Sequence, residues 1–184
     1  MTGIASKSQL RMSFLRYALF TVPGVLLLGT LSGTLANSGS GNAWFAALRK
    51  PDFMPPGWAF GAAWTILYIL LGLSLAMLLH ARGARRRDKA LPLFILGLLL
   101  NFAWSPVFFA WHKLAPALSI VAAMVVLTVV LIVLMWRIRP VAALLLVPYL
   151  AWLMFVLALN FEIIGLNPDA ETLVPGTTTI DIPV

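Results

Sequence analysis

Five long apolar runs divide this chain: Phe14–Ala36, Pro56–His80, Ala90–Trp111, Leu114–Trp136 and Val141–Leu166. No charge lies deep inside any of them, and Arg16 and Glu162 fall near ends. A helix crosses a bilayer with about 20 mostly apolar residues. The expected fold is therefore an all-α integral membrane protein, a bundle of five transmembrane helices. Composition agrees, with 61% hydrophobic residues, 10% charged and a mean hydropathy of +0.97. A soluble domain carries about 25% charged residues. The first run is longer than the 7–15-residue core of a signal peptide, and no A-x-A site follows it, so it reads as a retained span. Residues 1–13 read as a basic N-terminal extension, 14–167 as the membrane domain and 168–184 as a flexible tail.

The net charge of +7 does not imply a nucleic-acid partner, because the cations sit in short connections between apolar runs. With five spans, the N-terminus and the second and fourth connections share one side. That side holds Lys7, Arg11, Arg16, Arg82, Arg85, Arg86, Arg87, Lys89, Arg137 and Arg139; the other holds Arg49, Lys50 and Lys113. In a bacterial inner membrane, the excess places the N-terminus in the cytoplasm. Short turns at Lys113 and Arg137–Arg139 make the third, fourth and fifth spans antiparallel neighbours. The long first connection, Asn37–Met54, contains Trp44, Phe45 and Leu48. Apolar residues in a loop pack onto something, which points to a lid over the bundle.

Several chemistries are poorly supported. Cysteine is absent, which removes disulfides and thiolate catalysis. His80 and His112 lie at opposite ends of the bundle and cannot share a metal. No deep carboxylate supports a proton-coupled pump, and no phosphate loop or Ser/His/Asp constellation is present. GxxxG patterns at Gly29–Gly33 and Gly57–Gly61 read first as packing within the chain and second as a homodimer seam.

The aromatic and amide residues are more specific. Phe60, Trp64 and Tyr68 share one face of the second span at i, i+4, i+8. Asn101, Trp104 and Phe108 share a stripe on the third, and Tyr149, Trp152 and Val156 one on the fifth. At 1.5 Å per residue, Trp64 and Trp104 lie roughly 12 Å below the lid-side ends of their helices and Trp152 about 20 Å. These three indoles are too deep for the interfacial belt that Trp58, Trp111 and Trp136 fit. Asn101 and Asn160 are expensive in lipid and must face the interior. The expectation is one water-poor cavity under the lid for a flat, hydrophobic ligand.

At these residues the sequence resembles the tryptophan-rich sensory protein / translocator protein family (TspO/MBR). The matching segments are W-F-A-A-L-R-K-P at 44–51, P-P-G-W-A-F-G-A-A-W-T-I-L-Y at 55–68, L-N-F-A-W-S-P-V-F-F at 100–109 and P-Y-L-A-W-L-M-F-V-L-A-L-N at 148–160. The resemblance implies a five-helix bundle, commonly a homodimer, that binds porphyrins (protoporphyrin, haem) and other hydrophobic ligands beneath the first loop, with no required cofactor. It also implies links to sterols, stress signalling and transport, and in some bacterial members to light-dependent porphyrin breakdown. The two tryptophans implicated in that breakdown match Trp64 and Trp152. Trp44, Phe45, Asn101, Trp104 and Ser105 match pocket-lining positions. Three departures stand out: Phe53 replaces the tryptophan of K-P-x-W, Val156 replaces a commonly small residue, and no basic residue follows Tyr149 to complete a sterol motif.

Overall fold

In lipid a backbone can satisfy its polar groups within one segment only by forming a helix. The computed structural model, which describes residues 7–173 and side chains from Met12 onward, makes each of the five runs helical. The spans are α1 (Lys7–Leu35), α3 (Gly57–His80), α4 (Arg87–Ser105), α5 (Leu114–Trp136) and α7 (Val147–Leu166). A short α2 (Ala43–Ala47) lies in the first connection, and α6 (Pro140–Leu144) precedes α7.

Four boundaries differ from expectation. Helix α1 begins at Lys7, so part of the basic extension is already helical. The fifth span is broken at Leu145–Leu146, because Pro148 has no N–H to give the Leu144 carbonyl. The third span ends in a π-helical turn, Pro106–Ala110, closed by a bond from Trp111 N to Pro106 O at 2.9 Å. The expected flexible tail is instead folded over its first residues: Ala170–Thr172 form a 3₁₀ turn and Ala170 is buried. The rest of that tail, 174–184, lies outside the described residues.

The spans form a ring in the order α1, α4, α5, α7, α3. The expected pairs α4–α5 and α5–α7 are neighbours, and α1 packs most extensively on α3. That contact needs glycine twice. A Cβ on Gly29 would overlap the Tyr68 ring, and one on Gly72 would sit 2.6 Å from Val22 Cα. The Gly29 half of the first GxxxG pattern therefore packs within the chain, whereas Gly61 of the second has nothing within 4 Å.

Hydroxyls and amides lock the ring, as expected where apolar burial cannot drive helix association. Thr21 Oγ1 donates to Gly72 O at 2.8 Å, and Ser32 Oγ donates to Phe102 O. Ser74 Oγ donates to Ala142 O at 2.8 Å. The break before α7 turns Leu146 N to Ala143 O, leaving the Ala142 carbonyl open to that hydroxyl.

Candidate functional site

The lid is built from the bottom up by one asparagine. Asn42 caps α2, its Oδ1 accepting from Phe45 N at 3.0 Å. Its Nδ2 donates to Phe109 O at 3.1 Å, a carbonyl in the π turn of the third span. The cap thereby fixes α2 on the end of the bundle. Trp44, Phe45 and Leu48 then point inward and are almost fully buried.

The C-terminal segment straps the lid down. Asn167 Oδ1 accepts from Arg49 N and its Nδ2 donates to Arg49 O, both at 2.8 Å. Trp44 Nε1 donates to Ala170 O at 2.8 Å, and the Trp44 ring stacks on His112 with centroids 4.3 Å apart. Lys113 pairs with Glu171 at 2.8 Å. The lysine's hydrogen bond holds the Glu171 carboxyl below its usual range.

Apart from His80 with Phe14 and Tyr17 at the far end, the aromatic rings form two networks, and among the described residues no ring pair joins them. The first joins α3 to α7 and, through Tyr68 and Phe102 at 6.4 Å, to α4. Trp64 and Trp152 meet edge to face at 6.2 Å, Phe60 meets Trp152 at 5.6 Å, and Trp64 stacks on Tyr68 at 5.4 Å. Phe155 closes it against Trp152 at 5.1 Å and reaches Phe53 of the lid connection at 6.3 Å. The second joins the lid to the third span. Trp104 stacks on Phe108 at 5.2 Å, and Phe108 touches Trp44, Phe45 and Phe109 edge-on.

This overturns part of the expected geometry. Trp64 and Trp152 meet ring to ring, whereas Trp104 packs against the same core but has Phe108 and Phe109 as its ring partners. The Trp64, Trp152 and Phe60 rings contact one another rather than facing across an open cavity. Trp44, Phe45 and Phe108 anchor the lid: all three are buried, and the Trp44 indole N–H is satisfied by Ala170 O. Tyr149 and Val156 are core residues. The Tyr149 hydroxyl accepts from Asn101 Nδ2 at 3.1 Å and faces Met124 Sδ at 3.6 Å. Tyr68 is the wedge over Gly29. Phe60, Trp64, Trp104, Ser105 and Trp152 remain half-buried. Trp58, Trp111 and Trp136 are exposed at helix ends, as an interfacial belt requires.

Four buried polar atoms lack a partner: Trp104 Nε1, Trp152 Nε1, Asn101 Oδ1 and Asn160 Oδ1. Each residue's other capacity is defined. Asn101 Nδ2 is held by Tyr149, and Asn160 Nδ2 donates to Val156 O at 2.8 Å. Two donors and two acceptors are thus left open on α4 and α7, in a medium where such groups are costly.

Sequence reasoning missed Asn42, Phe155 and Asn167. Asn42 carried a signal, since asparagine before a short apolar stretch is a favoured N-cap. Phe155 lies one turn from Trp152 and was reachable by helical spacing. Asn167 carried none, because its partner Arg49 is 118 residues away.

A profile of the TspO/MBR family matches residues 21–166. The chain is 36% identical to the tryptophan-rich protein TspO of Archaeoglobus fulgidus, over 80% of this chain and 94% of that protein. It is 35% identical to the tryptophan-rich sensory protein of Cereibacter sphaeroides, over 70% of this chain and 81% of that one. It is 34% identical to the translocator protein of Homo sapiens, over 73% and 80%.

Proposed function

Since this chain belongs to the TspO/MBR family of membrane proteins, we propose that it is a membrane receptor for a flat, hydrophobic tetrapyrrole such as protoporphyrin or haem, bound between α3, α4 and α7 beneath the lid. The observation that carries this reading is the Trp64–Trp152 ring contact between α3 and α7, with the Trp152 N–H and three further polar atoms on α4 and α7 left without partners. A tetrapyrrole offers a large π face for the indoles, carboxylates for the Trp104 and Trp152 N–H groups, and, when metal-free, pyrrole N–H groups for the asparagine oxygens. Entry requires Phe53 and Phe60 to swing away from Phe155 and Trp152, which makes the lid connection the gate. A homodimer, as in the resemblance, is part of this proposal.

Quenching of tryptophan fluorescence by protoporphyrin tests it. Trp64→Ala and Trp152→Ala each weaken binding by about 2- to 10-fold, the scale of a lost aromatic contact. Unchanged affinity in both variants moves the ligand elsewhere.

The Trp64–Trp152 edge contact favours a second reading, light-driven oxidation of the bound porphyrin. Light supplies the energy and dioxygen the oxidant: an indole in van der Waals reach gives an electron to the excited ring, the reduced ring passes it to dioxygen as superoxide, and the indole radical takes an electron back from the porphyrin, whose radical cation combines with the superoxide. Illuminating the complex in air separates the two readings. Product forming as fast in the Trp64→Phe/Trp152→Phe double variant makes the protein a passive host. Transport of tetrapyrroles or sterols is the third reading. It predicts flux into sealed vesicles that rises when the lid is released.

A further inference from the structure

The lid is not tied down evenly. Its first half is seated: Trp44, Phe45 and Leu48 are buried, and Asn42 bonds to Phe109 O in the π turn. The run that follows, from Arg49 to Phe53, is different. Arg49, Lys50, Asp52 and Phe53 are all exposed. On either side of it, Leu48 and Met54 pack into one apolar cluster beneath the lid. Beyond Met54, Pro55 and Pro56 have fixed φ and lead into α3. The run is a flap strung between two held points.

Among the described residues, two hydrogen bonds join this flap to the helix bundle, and one side chain makes both. Asn167 Oδ1 accepts from Arg49 N, and Asn167 Nδ2 donates to Arg49 O. The flap's own lysine, Lys50, bonds Ala46 O and Leu48 O, on the seated side. Asn167 stands on firm ground: it is buried, its Nδ2 also donates to Ile163 O at 2.8 Å, and Trp44 Nε1 holds the turn after it through Ala170 O. Four residues past Arg49, Phe53 meets Phe155 edge-on at 6.3 Å, and Phe155 packs on Trp152. The flap thus touches α7 twice. The upper contact is polar and grips a backbone donor and acceptor together; the lower is one exposed ring edge over the Trp64–Trp152 pair.

We propose that Asn167 is the latch of the site beneath the lid. Release of its two bonds to Arg49 lets the flap bow outward between Leu48 and Met54, lifts Phe53 off Phe155 and opens the aromatic seam between α3 and α7, while α2 stays seated. The proposal rests on the receptor reading for what passes through the opening, a flat hydrophobic tetrapyrrole. It adds the moving part and the residue that sets the rate of exchange. A latch that closes over the empty and the occupied pocket alike raises the barriers to entry and escape together, so it acts on rates and not on affinity. Asn167 is a positioning residue and does not touch the ligand.

Stopped-flow fluorescence of the full chain with protoporphyrin gives both rates. Asn167→Ala speeds association and release by the same factor, roughly 10-fold, the scale of two lost hydrogen bonds, and leaves Kd unchanged within about 2-fold. The chain has no cysteine, so introduced pairs are unambiguous. Arg49→Cys/Asn167→Cys exchanges ligand as fast as Asn167→Ala, and joining the two thiols with a short bismaleimide slows exchange below that of the natural chain. A second readout needs no ligand. Spin labels on Asp52→Cys/Glu162→Cys, both exposed positions, report a longer distance once Asn167→Ala is added; labels on Ala46→Cys/Glu162→Cys do not. Unchanged rates in Asn167→Ala, with Trp152→Ala still weakening binding, overturn the latch and leave the receptor reading standing. A weaker Kd in Asn167→Ala with association unchanged makes Asn167 a ligand contact and also overturns it. Equal movement of the two label pairs makes the lid a single body and overturns the flap. If neither Trp64→Ala nor Trp152→Ala changes affinity, the receptor reading fails by itself, and the label distances alone decide for or against the latch.

Discussion

At Gly72 the backbone of α3 approaches α1 closely enough that any side chain must move one of the two helices, since the blocking atom is Val22 Cα rather than a flexible tip. Gly72→Ala should lower stability by about 1–3 kcal/mol, the usual cost of overpacking. Gly61→Ala, with open space around it, should be neutral or slightly stabilising through helix propensity. Thermal unfolding of the two variants in one detergent checks both. The GxxxG pattern at Gly29 was legible as a close approach, but its partner was not. The helix presses on a tyrosine ring from α3 rather than on a second glycine face, and only the rotation of the helices about their axes determines that. The same rotation explains the tryptophans. Spacing expects Trp64, Trp104 and Trp152 at interior depth, yet depth does not say which neighbour each ring meets.

The lid is a marginal element on its own. Five helical residues in α2 are too few to be stable in isolation, so its order comes from the bonds that tie it to the π turn after α4 and to the C-terminal segment. Asn42→Ala removes a cap and a tether together and should destabilise the lid by about 1–2 kcal/mol. Asn167→Ala breaks both bonds to Arg49. Both variants should speed proteolysis within residues 37–54 while leaving the spans protected, which hydrogen exchange can resolve. The strap also has a pH dependence. Lys113 holds the Glu171 carboxyl below its ordinary value, so the pair's contribution is complete above the unfolded carboxylate pKa. It is lost as pH falls through the lower folded value. Because Glu171 is solvent-exposed, the effect is small. Lid protection should fall on acidification in the natural chain, and Glu171→Gln should abolish that acid-dependent part. The expected flexible tail hid this strap because Pro168, Pro175 and a threonine run lower helix propensity, and propensity is silent about a turn held by partners elsewhere.

At the scale of the whole molecule, charge and fold point the same way. The lid, its strap and Asp52, Glu162, Asp169 and Glu171 lie at one end, and the basic connections at the other. If the membrane is a bacterial inner membrane, single cysteines at Ser38 and Arg85 should react with an impermeant thiol reagent from opposite sides, Ser38 from outside. The reverse pattern would turn the lid and its gate toward the cytoplasm. The ring order explains why the aromatic wall forms where it does. Spans α3 and α7 close the ring with few backbone contacts, and the rings of Phe60, Trp64, Trp152 and Phe155 fill the wider seam between them.

By itself the sequence determined the membrane class, the number of spans and the residues that must face inward, because lipid penalises every unpaired polar group and charge at a known depth. It also determined the family, through residues clustered in four segments. The tertiary structure decided which interior residues meet. Ring order, helix rotation, the break before α7 and the strap over the lid all depend on contacts between residues far apart in the chain. Whether a given polar atom is satisfied depends on those same contacts. The open atoms of Asn101, Trp104, Trp152 and Asn160 could therefore be found only once the helices were in place.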